Sequence, residues 1–271
     1  MSTTAPHPPP PSLLFRFLEL RSIPELGAFA LTYPLLRRVP HGDGHPVLVL
    51  PPLGAGDAAT IPLRAFLRGR GYAARGWGLG RNRGPVPGMA ARLRECLVRT
   101  RARHGRTVSL IGWSLGGIYA RELAKAFPGD VRQVITLCSP FAVDPRASNS
   151  VRSYERLSKQ RIDHPHGRDL SEPPPVPTTA IYSRTDGIVA WQGCVETAGP
   201  LQESVEIESS HFGVGHHPLA LYVIADRLAQ PESAWRPFDR SGLRRVFYPT
   251  PEHGARWQPS AAEVGRENGC R

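Results

Sequence analysis

Apolar residues recur along the chain in two periods. From Gly44 onward, short β-branched runs alternate with stretches in which apolar side chains return every three or four positions. The short runs "VLVLP" (47–51), "YAARGW" (72–77), "VSLIGW" (108–113), "VRQVITLC" (131–138), "TTAIYS" (178–183) and "VEIES" (205–209) predict strands. Helical spacing predicts helices near 60–70, 88–104, 115–127, 149–160 and 190–197, and another after Pro218. Strands that are apolar throughout are those buried on both faces. The pattern therefore implies an α/β chain with a mostly parallel central sheet of about six strands and helices on both faces. Right-handed crossovers bring the strand C-terminal ends to one edge, where open sheets bind ligands. Residues just past a strand are the candidates for chemistry.

The ends differ from this middle. Residues 1–11, with Pro8 to Pro11 consecutive, predict a disordered or extended leader, because proline at this density cannot pair its backbone. Ser12 suits an N-cap, and Leu13, Leu14, Phe17, Leu18 and Arg21 follow helical spacing; Glu25 to Tyr33 predict a second helix before Pro34. Residues 12–44 thus read as a helical extension packed on the main body. A sharper alternative is an apolar flap near an active site, or a weak membrane-surface contact through 12–33. Residues 45–234 read as one domain, and 235–271 as a loosely ordered C-terminal extension without strong period.

Charge changes this picture little. The 34 basic and 23 acidic side chains leave +11, almost all of it arginine, since Lys125 and Lys159 are the only lysines. These arginines are spread from Arg16 to Arg271 rather than clustered, which argues against a nucleic-acid footprint. The local group Arg99, Arg101, Arg103 and Arg106 falls at the end of a predicted helix, where the dipole and solvent account for it. Cys96, Cys138, Cys194 and Cys270 share no C-x-x-C spacing, so neither a disulfide framework nor a zinc site is implied. The N-terminus lacks an early positive region and its apolar run is broken by Arg16, Glu19 and Arg21, so a cytoplasmic location is expected.

The strongest chemical signal is Gly112-Trp113-Ser114-Leu115-Gly116, a G-x-S-x-G directly after a predicted strand and before a predicted helix. Glycines on both sides permit a turn tight enough to strain the serine backbone and present its hydroxyl above the sheet edge. A serine hydroxyl is a weak nucleophile until a base takes its proton and an acid orients the base. Asp186 in "IYSRTDGIVAW" lies just past a strand; Asp144 in "CSPFAVDP" competes with it. The stretch "ESSHFGVGHHP" offers His211, His216 and His217 as bases, which spacing alone leaves open.

Together "GWSLGG", "YSRTDGIV" and "SSHFGVGHHP" resemble the α/β-hydrolase superfamily over roughly residues 45–230, most of all its compact bacterial serine esterases and lipases. The resemblance implies an α/β-hydrolase fold with a minimal cap, Ser114 as nucleophile, Asp186 as acid and His211 as base. Gly213 fits the family's H-x-G, and Pro218 leaves His216 and His217 to helix capping and packing. The family draws its oxyanion donors from the residue after the nucleophile, here Leu115, and from the loop after the first core strand. In that loop many relatives carry His-Gly, whereas this chain has Pro51-Pro52. Neither proline has an N–H, so Leu53 is the first donor available.

The function implied is carboxylic ester hydrolysis through an acyl-enzyme, on a small-molecule or lipid ester, with no metal or organic cofactor. An acyltransferase or thioesterase with the same triad, or a non-catalytic binding protein of this fold, is the alternative. The segment 139–177 is too short for a large cap, so Phe141, Trp113, Trp191 and Phe212 are expected near the acyl pocket. The run "GWGLGRNRGPVPG" (76–88) is not a dinucleotide fingerprint, since Arg83 stands where the third glycine would be.

Overall fold

The computed structural model describes residues 8–159, 161 and 170–250. Strands Pro46–Leu50 (β1), Ala73–Gly76 (β2), Val108–Trp113 (β3), Val131–Leu137 (β4), Thr178–Tyr182 (β5) and Gln202–Glu206 (β6) form one parallel sheet in the order β2-β1-β3-β4-β5-β6. The helices are Leu13–Leu18 (α1), Ser22–Leu36 (α2), Ile61–Gly69 (α3), Met89–His104 (α4), Leu115–Ala126 (α5), Val151–Ser158 (α6) and Pro218–Leu228 (α7).

The strand period of two explains the layering. In β1, Val47 and Val49 point into a core with α3 and α7, while Leu48 and Leu50 point into a second core with α4 and α5. Every residue of β1, β3, β4 and β5 is buried, and only the edge strands β2 and β6 keep partly exposed positions. From β1 the chain steps outward to β2, then returns across β1 to continue as β3. This reversal between β1 and β3 is a topological switch point, where the strand ends part and a crevice forms.

Three elements differ from their sequence expectation. The final strand begins at Gln202 and ends at Glu206, three residues earlier than the apolar run suggested. Beyond Ile207 the amides leave the ladder: Ser209 N bonds Ser183 Oγ, and the next two bond carboxylates from the N-terminal segment. Helix α2 runs through Pro34 to Leu36, since proline removes a single rung and Arg37 N closes on Tyr33 O beyond it. The helix expected over 190–197 is only a 3-10 turn, Trp191–Cys194.

At the far end, Phe238 and Tyr248 are buried against Tyr222 of α7, and Glu203 accepts from Phe238 N, so residues 235–250 pack on the domain through aromatic contacts. The expected leader over 1–7 and the tail over 251–271 lie outside the described residues.

Candidate active site

Ser114 stands between β3 and α5 with φ 52° and ψ −121°, a backbone state that non-glycine residues rarely adopt and that stores strain. The glycines around it are required by contact. A Cβ on Gly112 would strike Gly116 O and the Gly117 backbone, and one on Gly116 would strike Leu50 O and Pro51 O. The start of α5 is thus pressed onto the end of β1, which brings Leu115 alongside the loop that carries Leu53. Within that loop Gly54 N bonds Asn82 O at 2.7 Å, Ala55 N bonds Pro52 O at 3.2 Å, and Asn82 Nδ2 holds Pro51 O at 2.9 Å. The Leu53 amide between them has no acceptor among the described residues.

Asp186 lies on the turn after β5. Its Oδ1 accepts from Ile188 N at 2.8 Å and Val189 N at 2.9 Å, and its Oδ2 meets His211 Nδ1 at 2.6 Å. Both side chains are buried, His211 at 3% exposure. Burial opposes the imidazolium, but the Asp186 charge and hydrogen bond, joined by the charge of Glu19, outweigh it and raise the His211 pKa above its ordinary value. With Nδ1 on Asp186, His211 keeps Nε2 for a substrate or nucleophile. Neither Nε2 nor Ser114 Oγ has a hydrogen-bond partner among the described residues, so the two are not joined here. The competing Asp144 is tied to Arg146, whose amide and Nε reach Asp144 Oδ1 at 2.8 Å and 3.0 Å.

Two features escaped the sequence reading. First, the N-terminal segment sends its acids into the site. Glu19, at 5% exposure, accepts from Gly187 N at 2.8 Å, His211 N at 2.9 Å and Phe212 N at 3.0 Å. Glu25 accepts from Ser210 N at 2.8 Å and from its hydroxyl, and Arg21 Nη2 donates to Thr185 O and Oγ1 at 2.8 Å and 2.7 Å. The available signal was compositional: Glu19 and Glu25 are the only acids before Asp43.

Second, Cys138 follows β4 at φ 46°, and its Sγ, an Asp186 oxygen and a His211 nitrogen lie within 4.8 Å of one another. Such a set can bind a soft cation. Here Asp186 and His211 already satisfy each other, and burial together with the Asp186 charge keeps Cys138 a neutral thiol.

Of the expected pocket residues, Phe212 stands at the site, 52% exposed and edge-on to the His211 ring at 5.8 Å. Trp113 turns into the core and donates its indole N–H to His211 O at 3.0 Å. Phe141 is buried beneath the Arg121 guanidinium, 3.7 Å from its ring centroid, and Trp191 stacks on Tyr182 with Arg184 above it. Cover comes from α6, whose Leu157 reaches Gly54 and whose Tyr154 and Ser158 reach Gly84.

His217 is the N-cap of α7, accepting from Leu219 N, and His216 bonds Ser22 O at 3.2 Å. A second chain of Ser109, His45 and Asp43 reproduces triad hydrogen bonding at the opposite edge of the sheet. There His45 Nε2 lies 2.9 Å from Ser109 Oγ, but both residues are wholly buried and no substrate can reach them.

A parallel sheet with this strand order, a strained serine at the switch point and a buried Asp–His pair past the following strands define the α/β-hydrolase fold. No family model and no curated protein matches the sequence. Among solved structures, lipase B of Aspergillus fumigatus superposes with a TM-score of 0.52 at 18% identity, covering 71% of this chain but 55% of the lipase. Lipase BlEst2 of Bacillus licheniformis in its mature form superposes with a TM-score of 0.52 at 15% identity, covering 71% of this chain and 95% of that one. At such identities the likeness is one of fold. Among the described residues no helix is long and apolar enough to cross a membrane.

Proposed function

We propose that the protein is a serine carboxylic ester hydrolase working through Ser114, His211 and Asp186. The observation that carries this reading is the Asp186–His211 pair at 2.6 Å on the same strand-end edge as a serine held at φ 52°. Rotation of Ser114 Oγ toward His211 Nε2 completes the relay. His211 then takes the hydroxyl proton as Oγ attacks the ester carbonyl carbon. The amides of Leu53 and Leu115 receive the developing oxyanion, and His211 returns its proton to the departing alkoxide. Water, deprotonated by the same imidazole, attacks the acyl-serine, and collapse of the second tetrahedral intermediate frees the acid and Ser114. No metal or organic cofactor takes part in these steps.

The substrate side of this reading is a small-molecule or lipid ester. Phe212 supplies exposed apolar surface next to the base, and separately Leu13, Leu14, Phe17 and Ile23 of α1 and α2 are exposed at 80%, 66%, 70% and 72%. That surface also supports a membrane-surface contact through residues 12–33.

The test is a p-nitrophenyl ester series of increasing acyl length, run on wild type and Ser114→Ala, with a fluorophosphonate probe as label. Turnover and labelling in wild type, both abolished by the substitution, support the reading. Turnover surviving in Ser114→Ala overturns it. Acyl release that strictly requires an added alcohol or thiol converts it to an acyltransferase.

A further inference from the structure

The acid and histidine loops leave the sheet from neighbouring strands, and their backbone amides at Gly187, His211 and Phe212 turn away from the ladder. Buried amides need acceptors. All three find the same one, the Glu19 carboxylate, from a segment 168 and 192 residues away from Gly187 and His211 in sequence. Glu19 Oε1 bridges the residue after Asp186 to His211 itself, and Oε2 takes the residue after His211.

We propose that Glu19 is a positioning residue for the proposed reaction, fixing the separation of the Asp186 and His211 loops through their backbone amides and bringing a second carboxylate close to the imidazole.

The inference rests on the serine-hydrolase reading above and deepens it. Three observations support it beyond the hydrogen bonds. The segment sits so close that a Cβ on Gly187 would strike Phe15 O, and one on Gly213 would strike the Glu25 carboxylate. Arg21 and Glu25 brace the same two loops one turn along, at Thr185 and Ser210. Finally, Glu19 adds its charge to that of Asp186 in favouring protonated His211. The ionisable groups facing His211 are Asp186 after β5, the neutral thiol of Cys138 after β4, and Glu19 from the N-terminal segment. A base whose proton affinity is raised by two carboxylates, and whose backbone is held by one of them, needs less reorganisation when it accepts the Ser114 proton.

The decisive variant is Glu19→Gln. The amide keeps the shape and one acceptor oxygen, removes the charge, and cannot accept from every amide now held. Two readouts are needed in the full-length protein: kcat and KM across pH on a p-nitrophenyl ester, and the His211 imidazole titration followed by NMR, assigned by its loss in His211→Ala. We expect kcat to fall about ten-fold or more with KM within about two-fold. The His211 midpoint and the acid limb of kcat/KM should both move down by about half a pH unit or more. Glu19→Asp should recover part of both if charge is the cause.

An unchanged His211 midpoint in Glu19→Gln overturns the proposal, as does a fall in activity explained wholly by a lower thermal midpoint. If wild type shows neither turnover nor probe labelling, the ester-hydrolase reading fails, yet the NMR titration still decides whether Glu19 acts on His211.

Discussion

Trp113 and His211 are joined side chain to main chain: the indole N–H of the residue before Ser114 donates to the carbonyl of His211, at 3.0 Å. Gly215 lies flat on the same indole, where any Cβ would crowd the ring. The Ser114 turn and the His211 loop are therefore tied directly, although two strands, β4 and β5, lie between β3 and β6. Trp113→Phe keeps an aromatic ring and deletes the bond. It should lower kcat about five-fold, the equivalent of one net hydrogen bond of about 1 kcal/mol, and lower the folding midpoint as well, because a smaller ring replaces the buried indole. A steady-state comparison at saturating ester checks this, and an unchanged kcat would remove Trp113 from the positioning of the base.

The raised His211 pKa has a defined consequence for rate. A general base works when neutral, so a pKa above the ordinary 6.5 keeps His211 protonated to higher pH, and activity is lost as pH falls through that raised value. The acid limb of kcat/KM should have its midpoint above pH 6.5. Asp186→Asn removes the largest opposing charge, so the limb should shift downward while the plateau falls by roughly a thousand-fold or more. A limb centred below 6.5 in wild type would contradict the arrangement.

The layout of the site divides into what local pattern encodes and what only docking creates. Ser114 and the six strands were legible because each depends on neighbours in sequence: glycines that permit a tight turn, apolar runs that fill two faces. Asp186, with Asp144 as its rival, and His211, one of three nearby histidines, were legible only with the resemblance of three motifs in hand. Glu19 was not, because a lone acid in an apolar helix pattern reads as a solvated residue until the segment is seen to fold inward. Trp113 and Phe141 sit beside chemistry in sequence but alternate away from it in space, Trp113 into the core and Phe141 beneath Arg121. Cys138 carried no signal, since its meaning lies in the convergence of three strand ends.

Stability should fall on acidification for a reason remote from the site. His45 is wholly buried between Asp43 and Ser109, and burial, outweighing the support of Asp43, pulls its pKa down to about 4. The folded value lies below the unfolded 6.5, so the unfolded chain takes up this proton first. The stabilisation is complete above pH 6.5 and is lost progressively between 6.5 and about 4, by about 3 kcal/mol over the full window. Asp43, held below the usual carboxylate range despite partial burial by His45 and Arg106, adds a loss of the same sign at lower pH. His217 behaves as His45 does, whereas His211 contributes the opposite sign. Urea unfolding of wild type and His45→Gln at several pH values isolates the effect; identical pH slopes would refute it.

The N-terminal helices are two-sided, with acids facing the domain and apolar side chains facing outward. Their acids, Glu19 and Glu25, turn inward onto the Asp186 and His211 loops, so the outward charges between residues 12 and 38 are cationic, with Arg16, Arg37 and Arg38 exposed among Leu13, Leu14, Phe17, Ile23, Leu31 and Leu35. Apolar side chains standing in water beside arginines match an anionic lipid–water interface, where each buried methylene contributes about 0.8 kcal/mol and each cation near the surface about 1 kcal/mol. Wild type should therefore sediment with phosphatidylglycerol vesicles more strongly than with phosphatidylcholine vesicles, and less so in high salt. Leu14→Asp with Phe17→Asp should weaken that binding by more than about ten-fold, because two apolar contacts are exchanged for repelled charges. Hydrolysis of a short, water-soluble ester should be unaffected, since neither side chain touches Asp186, His211 or Ser114. Equal binding by the double variant would show that the exposed face does not meet the membrane, and a wild-type dimer dissociated by the same substitutions would assign the face to a second copy of the chain.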